Sequence, residues 1–144
     1  MIMINLSVSI YRPIQRVFDF ISAPENDTQW QYGTLTSAKM DEGAAKVGCT
    51  FRSDSNLMGY RTLNTYEITE YEPNIKYGFK SLSGPLQSFS SYTFQMAKGY
   101  TQVNFSLQAN KINGIGLNEN ILGKKIKKQF KEYLSMLKSI LESV

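Results

Sequence analysis

Apolar and polar residues alternate along the N-terminal stretch of the chain, a pattern typical of a strand with one buried face. The apolar side of this stretch consists of Ile2, Ile4, Leu6, Val8 and Ile10. The pair Arg12-Pro13 then interrupts the alternation. Proline is well suited to the first turn of a helix, because that position needs no N–H donor. The sequence therefore predicts a first strand followed directly by a helix.

Two short helices are predicted after this strand. The apolar residues are now spaced by three and four positions, which places them on one helical face: Ile14, Val17, Phe18 and Ile21. This helix is expected to stop before Pro24, because the residue that precedes a proline disfavours helical backbone. A second short helical turn is predicted over residues 24–29, and it ends at Trp30.

Strand patterns fill the middle of the chain, and Gly, Pro, Asn or Asp residues separate them at intervals of about 10 to 12 residues. The predicted strands cover residues 34–40, 47–55, 60–71, 75–82, 86–97 and 100–110. Links this short join antiparallel neighbours, because a parallel pair needs a much longer crossover. We therefore expect an antiparallel meander.

A long amphipathic helix is predicted at the end, after a loop over residues 111–116. Its apolar residues recur at steps of three and four: Leu117, Ile121, Leu122, Ile126, Phe130, Tyr133, Leu134, Leu137, Ile140 and Leu141. A helix of about 25 residues would be about 37 Å long, enough to cross a small domain. Gly123 lies inside it and indicates a bend, a close approach of another backbone segment or an unimportant position near the helix start.

The composition limits the chemistry of the chain. Its 144 residues are 42% hydrophobic and 19% charged, with no histidine and one cysteine. Serine or cysteine catalysis assisted by histidine is therefore excluded, and so are histidine-rich zinc sites. A single cysteine forms neither an internal disulfide nor a multi-thiolate site. We predict one domain, residues 1–144, with no metal site and no cofactor.

Charge and hydropathy bear on partners and location. No apolar run is long enough to span a membrane and no leader pattern is present, so we expect a cytoplasmic protein. The net charge is +4, and lysines concentrate on the last helix: Lys124, Lys125, Lys127, Lys128, Lys131 and Lys138. A solvated helix face and transient contact with an anionic membrane are both consistent with this pattern. No nucleic-acid partner is predicted, because no aromatic residues are interleaved with the lysines. The oligomeric state stays open.

The order of these elements resembles the SRPBCC superfamily, also called START-like or birch-pollen-allergen-like, and within it the polyketide cyclase/dehydrase group. The markers of the resemblance span the chain: Arg12-Pro13, residues 17–21 (VFDFI), residues 24–30 (PENDTQW), Val47-Gly48, residues 66–73 (YEITEYEP), Ser83-Gly84-Pro85 and the closing helix. The resemblance implies an α+β helix-grip fold: a seven-stranded curved antiparallel sheet wrapped around a long C-terminal helix, with two short helices after the first strand.

The resemblance also implies a cavity between the sheet and the long helix, which binds a lipid, a polyketide or a similar hydrophobic molecule. Strand alternation predicts which residues face it. The predicted ligand-binding residues are Trp30, Phe51, Asn64, Tyr66, Tyr77, Phe79, Tyr92, Phe94, Phe105, Leu122 and Ile126. The same inward faces include Val47, Cys49, Ile75 and Met96. Simple packing is the alternative role for each ring, and a buried inert thiol is the alternative for Cys49.

Three functions are consistent with these patterns. A carrier or binding protein for a hydrophobic small molecule is the first, and a cyclase/dehydrase-like enzyme that uses tyrosine or carboxylate proton transfer is the second. A protein-interaction module is the third. A buried carboxylate within hydrogen-bond reach of a tyrosine would favour the enzyme. No catalytic residue is assigned, because the charged strand residues fall on outward positions, where ion pairs such as Arg52 with Glu67 are expected.

The sequence Gly114-Ile115-Gly116 is not a phosphate-binding loop, because it lacks the Lys-Ser/Thr ending. We interpret the two glycines as flexibility at the entrance of the cavity.

Overall fold

The computed structural model describes residues 1–57, 59–111 and 118–143. The predicted entrance at residues 114–116 and the apolar position Leu117 lie outside these ranges. The elements in chain order are β1 (Ile2–Ile10), α1 (Ile14–Ile21), a 3₁₀ turn (Pro24–Asn26), α2 (Asp27–Trp30), β2 (Thr34–Lys39), β3 (Thr50–Leu57), β4 (Tyr60–Glu72), β5 (Lys76–Ser83), β6 (Leu86–Ala97), β7 (Tyr100–Lys111) and α3 (Glu119–Glu142). The predicted helix-grip order is confirmed.

The strands form one seven-stranded sheet in the order β1-β7-β6-β5-β4-β3-β2. Strands β2 to β7 are an antiparallel meander, as predicted, and β1 pairs with β7 so that Ile2 lies opposite Ala109 and Ile10 opposite Thr101. The β4–β5 register shifts between Ile68 and Glu70. Such irregularities bend a strand and increase its twist, and here they help the sheet to curve around α3.

Local chemistry fixes where the helices begin. Pro13 precedes α1 with an extended backbone, and its carbonyl accepts a hydrogen bond from Val17 N. At the start of α3, the side chain of Asn118 accepts a hydrogen bond of 2.9 Å from Ile121 N. This N-cap satisfies one of the amides that a helix start leaves without a partner.

Helix α3 closes over the sheet and covers the core. Its residues Leu122, Ile126 and Leu137 are at most 1% exposed, and full burial of such a side chain contributes about 1.5–3 kcal/mol. A Cβ atom on Gly123 would lie 3.5 Å from Cγ2 of Ile2. This is an ordinary van der Waals contact with a side chain, so packing leaves room for a methyl group at position 123 and gives no sign that a close backbone approach requires the glycine.

Three of the predicted inward positions are wrong. Val47 is 57% exposed, Ile75 56% and Met96 67%. Strand β3 begins at Thr50 rather than at Val47, because a turn precedes it: Gly48 has a positive φ of 94° and Cys49 N donates to Lys46 O. Ile75 lies in the turn before β5, and Met96 lies at the end of β6.

Candidate ligand-binding cavity

A cavity of about 130 Å³ lies between the concave face of the sheet and α3. Its apolar and aromatic lining consists of Phe51, Tyr66, Phe79, Pro85, Leu86, Tyr92, Phe105, Leu107, Ile126, Phe130 and Tyr133. Its polar lining consists of Asp27, Gln31, Thr34, Ser53, Ser55, Asn56, Thr62, Asn64, Ser88, Ser90 and Gln129. The cavity is therefore amphipathic, with aromatic walls and many hydrogen-bonding groups.

The structure places the eleven residues predicted to bind a ligand in two groups. Those that line the cavity are Phe51, Asn64, Tyr66, Phe79, Tyr92, Phe105 and Ile126. Those in the surrounding core are Trp30, Tyr77, Phe94 and Leu122. The core residues support the wall from behind: the ring centroids of Trp30 and Tyr92 are 6.4 Å apart, and Tyr77 stacks on Tyr92 at 6.2 Å. Contact of any of these residues with a ligand stays a prediction.

The aromatic walls form two clusters. In the first, the rings of Phe51, Tyr66 and Phe79 lie 5.1 to 5.2 Å apart. In the second, Tyr92 contacts Phe105 at 4.9 Å, and Phe105 stacks on Phe130 at 4.7 Å. Such ring pairs add about 0.5–1.5 kcal/mol beyond the area they bury. The walls are therefore preorganised by contacts among their own side chains.

The carboxyl group of Asp27 is the charged group in the cavity lining. Ser37 Oγ donates a hydrogen bond of 3.2 Å to Asp27 Oδ2. The side chain of Asp27 is half-buried. One side of it faces the cavity, and protein surrounds the rest. Burial raises its pKa from 3.8 to about 8; the bond from Ser37 lowers the pKa and the nearby charge of Glu25 raises it further. Asp27 is therefore mostly protonated at neutral pH.

The sequence predictions missed Asp27, because strand alternation assigned the cavity lining and Asp27 lies on a helical turn. One signal was available in the sequence. Pro24, Asp27 and Trp30 are spaced by three residues, and both flanking residues are buried. That spacing places them on one side of a helical segment. A carboxylate between two buried apolar residues is a candidate for burial.

Some polar side chains of the cavity lining form hydrogen bonds with one another. The hydroxyls of Ser53 and Ser55 lie 2.8 Å apart, and Asn64 Nδ2 donates to Thr62 Oγ1 at 3.0 Å. At the edge of the cavity, Gln129 Nε2 donates to Tyr133 Oη at 2.6 Å. Burial raises the pKa of Tyr133 to about 12 although two hydrogen bonds lower it, so the phenol stays protonated.

The hydroxyls of Tyr66 and Tyr92 behave differently, since no hydrogen bond reaches them from any residue that the structure describes. Burial raises the pKa of both phenols, and the negative charge of Asp27 adds to the effect. Both groups therefore stay protonated and can donate to a ligand. No described tyrosine hydrogen-bonds to Asp27, so the carboxylate–tyrosine contact that would favour an enzyme is not formed in this conformation.

The predicted ion pair between Arg52 and Glu67 is wrong. Arg52 lies opposite Thr65 and Glu67 opposite Thr50, so the two are diagonal neighbours on adjacent strands, but no ion pair joins them among the described residues. The outer face instead carries a pair between Arg61 and Asp54, whose closest N–O distance is 2.7 Å. The hydrogen bond from Arg61 lowers the pKa of the Asp54 carboxyl.

Cys49 is buried, and its Sγ lies 4.0 Å from Ala44 O. It is not among the residues that line the cavity. Within residues 1–57, 59–111 and 118–143, no three Cys, Asp or Glu side chains come together as a group that could hold a metal ion. In the same ranges, no helix has the length and apolar character needed to cross a membrane.

The antiparallel sheet curves around the long C-terminal helix, and a cavity lies between the two. This arrangement defines the helix-grip fold of START-like proteins. Residues 1–142 match the family described as polyketide cyclase / dehydrase and lipid transport. The chain belongs to this family, which confirms the resemblance seen in the sequence.

Solved structures share this fold. A START superfamily protein from Mycobacterium smegmatis is similar, with a TM-score of 0.85 at 11% identity over 99% of both chains. Ginseng major latex-like protein 151 from Panax ginseng has a TM-score of 0.75 at 11% identity over 95% of both chains. Zhui aromatase/cyclase from a Streptomyces strain has a TM-score of 0.75 at 10% identity over 98% of this chain and 91% of its own. No curated protein sequence matches significantly. At such identities the similarity establishes the fold alone.

Proposed function

We propose that the chain binds a hydrophobic small molecule in the cavity and acts as a binding or carrier protein. The observation that carries this proposal is the lining itself: preorganised aromatic walls and two phenol groups, Tyr66 and Tyr92, that have no hydrogen-bond partner among the described residues. Ligand sites commonly combine an apolar surface with a few polar groups that fix orientation. The family membership supports the same function.

The size of the cavity narrows the ligand class. Its volume of about 130 Å³ is close to that of engineered cavities, roughly 150 Å³, that hold one benzene molecule. Sites for drug-sized ligands are larger, at roughly 300–1,000 Å³. In this conformation the cavity suits a compact molecule of about one ring. A long lipid or a polyketide chain requires the cavity to widen.

The proposal can be tested with a substitution that fills the cavity. Ser90 is buried and lines it between Phe79 and Leu107 in the sheet, and its hydroxyl makes no hydrogen bond within the described part of the chain. Ser90→Leu should therefore occupy the space and abolish binding of benzyl alcohol, followed by ligand-observed NMR. Thr93→Leu on the exposed side of the same strand is the matched control and should bind as the parent does. Native mass spectrometry of the freshly purified protein would reveal a copurified ligand.

If Ser90→Leu and Thr93→Leu bind benzyl alcohol equally well, the probe does not occupy the cavity and the proposal fails. Retained cooperative unfolding of both variants ensures that a loss of binding is not a loss of the fold.

A second candidate function is a cyclase/dehydrase-like enzyme, and Asp27 is the observation that favours it. A carboxyl group with a pKa of about 8 inside a cavity is suited to take and return a proton near neutral pH. The carboxylate would remove a proton from the carbon next to a carbonyl, and a phenol such as Tyr92 would donate a hydrogen bond to the resulting enolate.

The test of this enzyme is exchange of the methyl protons of acetophenone in D₂O, followed by NMR. The parent should accelerate the exchange, and Asp27→Asn should remove the acceleration. Equal rates with and without the parent protein would exclude this activity for that substrate.

We further propose that the protein is cytoplasmic and that α3 makes transient contact with anionic membranes when cargo is delivered. The supporting observation is that Lys124, Lys125, Lys127, Lys128 and Lys131 are all exposed. Each basic residue near an anionic surface contributes about 1 kcal/mol. Co-sedimentation should detect binding to phosphatidylserine vesicles and not to phosphatidylcholine vesicles, and 0.5 M salt should remove it because salt screens the charges. Equal binding to both lipids would contradict the proposal.

A further inference from the structure

We propose that Asp27 anchors a cationic group of the ligand, so that the cavity selects a small aromatic amine over a neutral molecule of the same shape. This inference rests on the proposed ligand-binding function and assigns the chemical class of the ligand. Its basis is a carboxyl group on the wall of an aromatic cavity, with no cationic side chain among the described residues paired to it.

The hydrogen bonds of Asp27 leave half of the carboxyl group available. Oδ2 accepts from Ser37 at 3.2 Å, whereas Oδ1 has no partner within residues 1–57, 59–111 and 118–143. Asp27 lines the cavity, so a bound ligand has access to this free oxygen. The bond to Ser37 joins α2 to β2, and this structural role does not require a charge.

Within the part of the chain that the structure describes, no positive charge acts on Asp27. Arg61, Lys76 and Lys138 form ion pairs with Asp54, Glu70 and Glu142, and no described lysine or arginine forms one with Asp27. The charged group that acts on Asp27 is Glu25, which has the same sign. The phenols of Tyr66, Tyr77 and Tyr92 also feel the charge of Asp27, and they are neutral below pH 10 because burial raises their pKa.

An unpaired carboxylate in such a site is costly, and an ammonium group from a ligand would supply the missing counter-charge. The aromatic walls favour the same ligand. The negative face of a tyrosine or phenylalanine ring attracts a cation within about 6 Å of its centroid, and aromatic cages use this attraction to bind ammonium ligands. The rings of Phe51 and Tyr66, which stack at 5.1 Å, belong to the lining together with Asp27. A carboxylate ligand would meet like charge only where Asp27 is ionised, so its affinity should fall as the pH rises toward 8 and above.

Binding of an amine at Asp27 should release a proton, and this release can be measured. Asp27 is protonated in the free protein below pH 8, so it must release its proton to solvent when it pairs with an ammonium group. The ammonium keeps all of its own protons. Only protein molecules with an ionised Asp27 can bind the ammonium group. The apparent Kd for the amine should therefore rise about tenfold for each pH unit below 8. A neutral ligand should show no such dependence.

The experiment compares benzylamine, benzyl alcohol and benzoate by isothermal titration calorimetry at pH 6, 7 and 8, in buffers of different ionisation enthalpy. At pH 8 the parent protein should bind benzylamine at least about tenfold more tightly than benzyl alcohol, as expected when a buried charge gains a partner. Uptake of benzylamine should release a proton at pH 7, and the affinity for benzoate should fall from pH 6 to pH 8 as Asp27 ionises. Asp27→Asn should bind benzylamine no better than benzyl alcohol.

Glu25→Gln is the matched control, because it removes a carboxylate from the same segment but Glu25 is exposed and does not line the cavity. This variant should keep the preference for benzylamine. Equal affinity of the parent for benzylamine and benzyl alcohol, or an amine preference that survives in Asp27→Asn, would overturn the assignment of Asp27. In both cases the proposed ligand-binding function would still hold if the parent binds benzyl alcohol and Ser90→Leu abolishes that binding. If none of the probes binds the parent, both proposals fail.

Discussion

The backbone amide of Gly33 donates a hydrogen bond of 3.2 Å to the hydroxyl of Tyr133, a residue 100 positions further along the chain. The same hydroxyl accepts a bond of 2.6 Å from Gln129 Nε2. Gly33 lies between α2 and β2, and Tyr133 lies on α3 and lines the cavity. This contact therefore joins the segment that carries Asp27 to the helix that covers the sheet.

Tyr133→Phe should destabilise the fold by about 1–3 kcal/mol, because the buried amide of Gly33 loses its partner while the ring remains. The free energy of unfolding, measured with urea, checks this value. Tyr32→Phe is the control, since its hydroxyl bonds to Glu132 at the exposed surface, and its effect should stay within about 0.5 kcal/mol. Equal stabilities of the two variants would show that the hydroxyl of Tyr133 does not secure α3.

Gly33→Ala should also destabilise the fold, by about 1–3 kcal/mol, because the new methyl group has no space. Its Cβ would lie 2.5 Å from Tyr133 Oη and 2.8 Å from the backbone oxygen of Asn56. The side chain can move, but the backbone contact requires a shift of β3. Chemical denaturation of the variant measures the loss, and an unchanged midpoint would contradict the packing described around Gly33.

Gly123→Ala should have the opposite effect and stabilise the protein by about 0.5–1 kcal/mol. The position is inside α3, where alanine is the better helix former. The added Cβ would meet Ile2 at 3.5 Å, which is an ordinary van der Waals contact. A higher midpoint of thermal unfolding is the expected result. A lower midpoint would mean that α3 and β1 approach more closely than the 3.5 Å contact indicates.

Asp27→Asn should change how stability depends on pH. The carboxyl group ionises near pH 4 in the unfolded chain and near pH 8 in the folded protein. Between these values the unfolded state binds fewer protons, so the parent loses about 1.4 kcal/mol of stability per pH unit as the pH rises, and nothing further above pH 8. The variant lacks this dependence and should become progressively more stable than the parent across the window.

Urea denaturation of both proteins at pH 5, 6, 7 and 8 measures the difference. Glu25→Gln serves as the control, because it removes an exposed carboxyl group from the same segment and leaves Asp27 in place, so its stability should still fall with rising pH as that of the parent does. Parallel curves for the parent and Asp27→Asn would show that the carboxyl group ionises normally in the folded state.

The sequence predicted most of the sheet and helix order, because alternation and turn residues are local signals. Ile2 to Ile10 alternate along β1 as expected, and Phe51, Asn64 and Tyr92 lie on the cavity side of their strands. Predictions were poorer at strand ends. The turn that exposes Val47 depends on the backbone of Gly48, and alternation carries no information about such a change.

The polar part of the cavity was less predictable, because it depends on how separate elements dock. Asp27 gains its environment from β2 and from aromatic residues on distant strands. Gln129 and Tyr133 meet the cavity only because Gly33 allows α3 to approach. Neither relationship is visible in the spacing of residues along one element.

The register between β1 and β7 has a consequence for synthesis on the ribosome. Ile10 pairs with Thr101, and Lys138 donates to the backbone oxygen of Ser9 with 129 positions between them. At about 5–20 residues per second, the interval between making Ile10 and making Thr101 is roughly 5–20 s. Throughout that time the partner strand β7 has not been made, so the apolar side chains of β1 stay unpaired in the nascent chain. Co-translational folding of this protein is therefore expected to finish with its N-terminal strand.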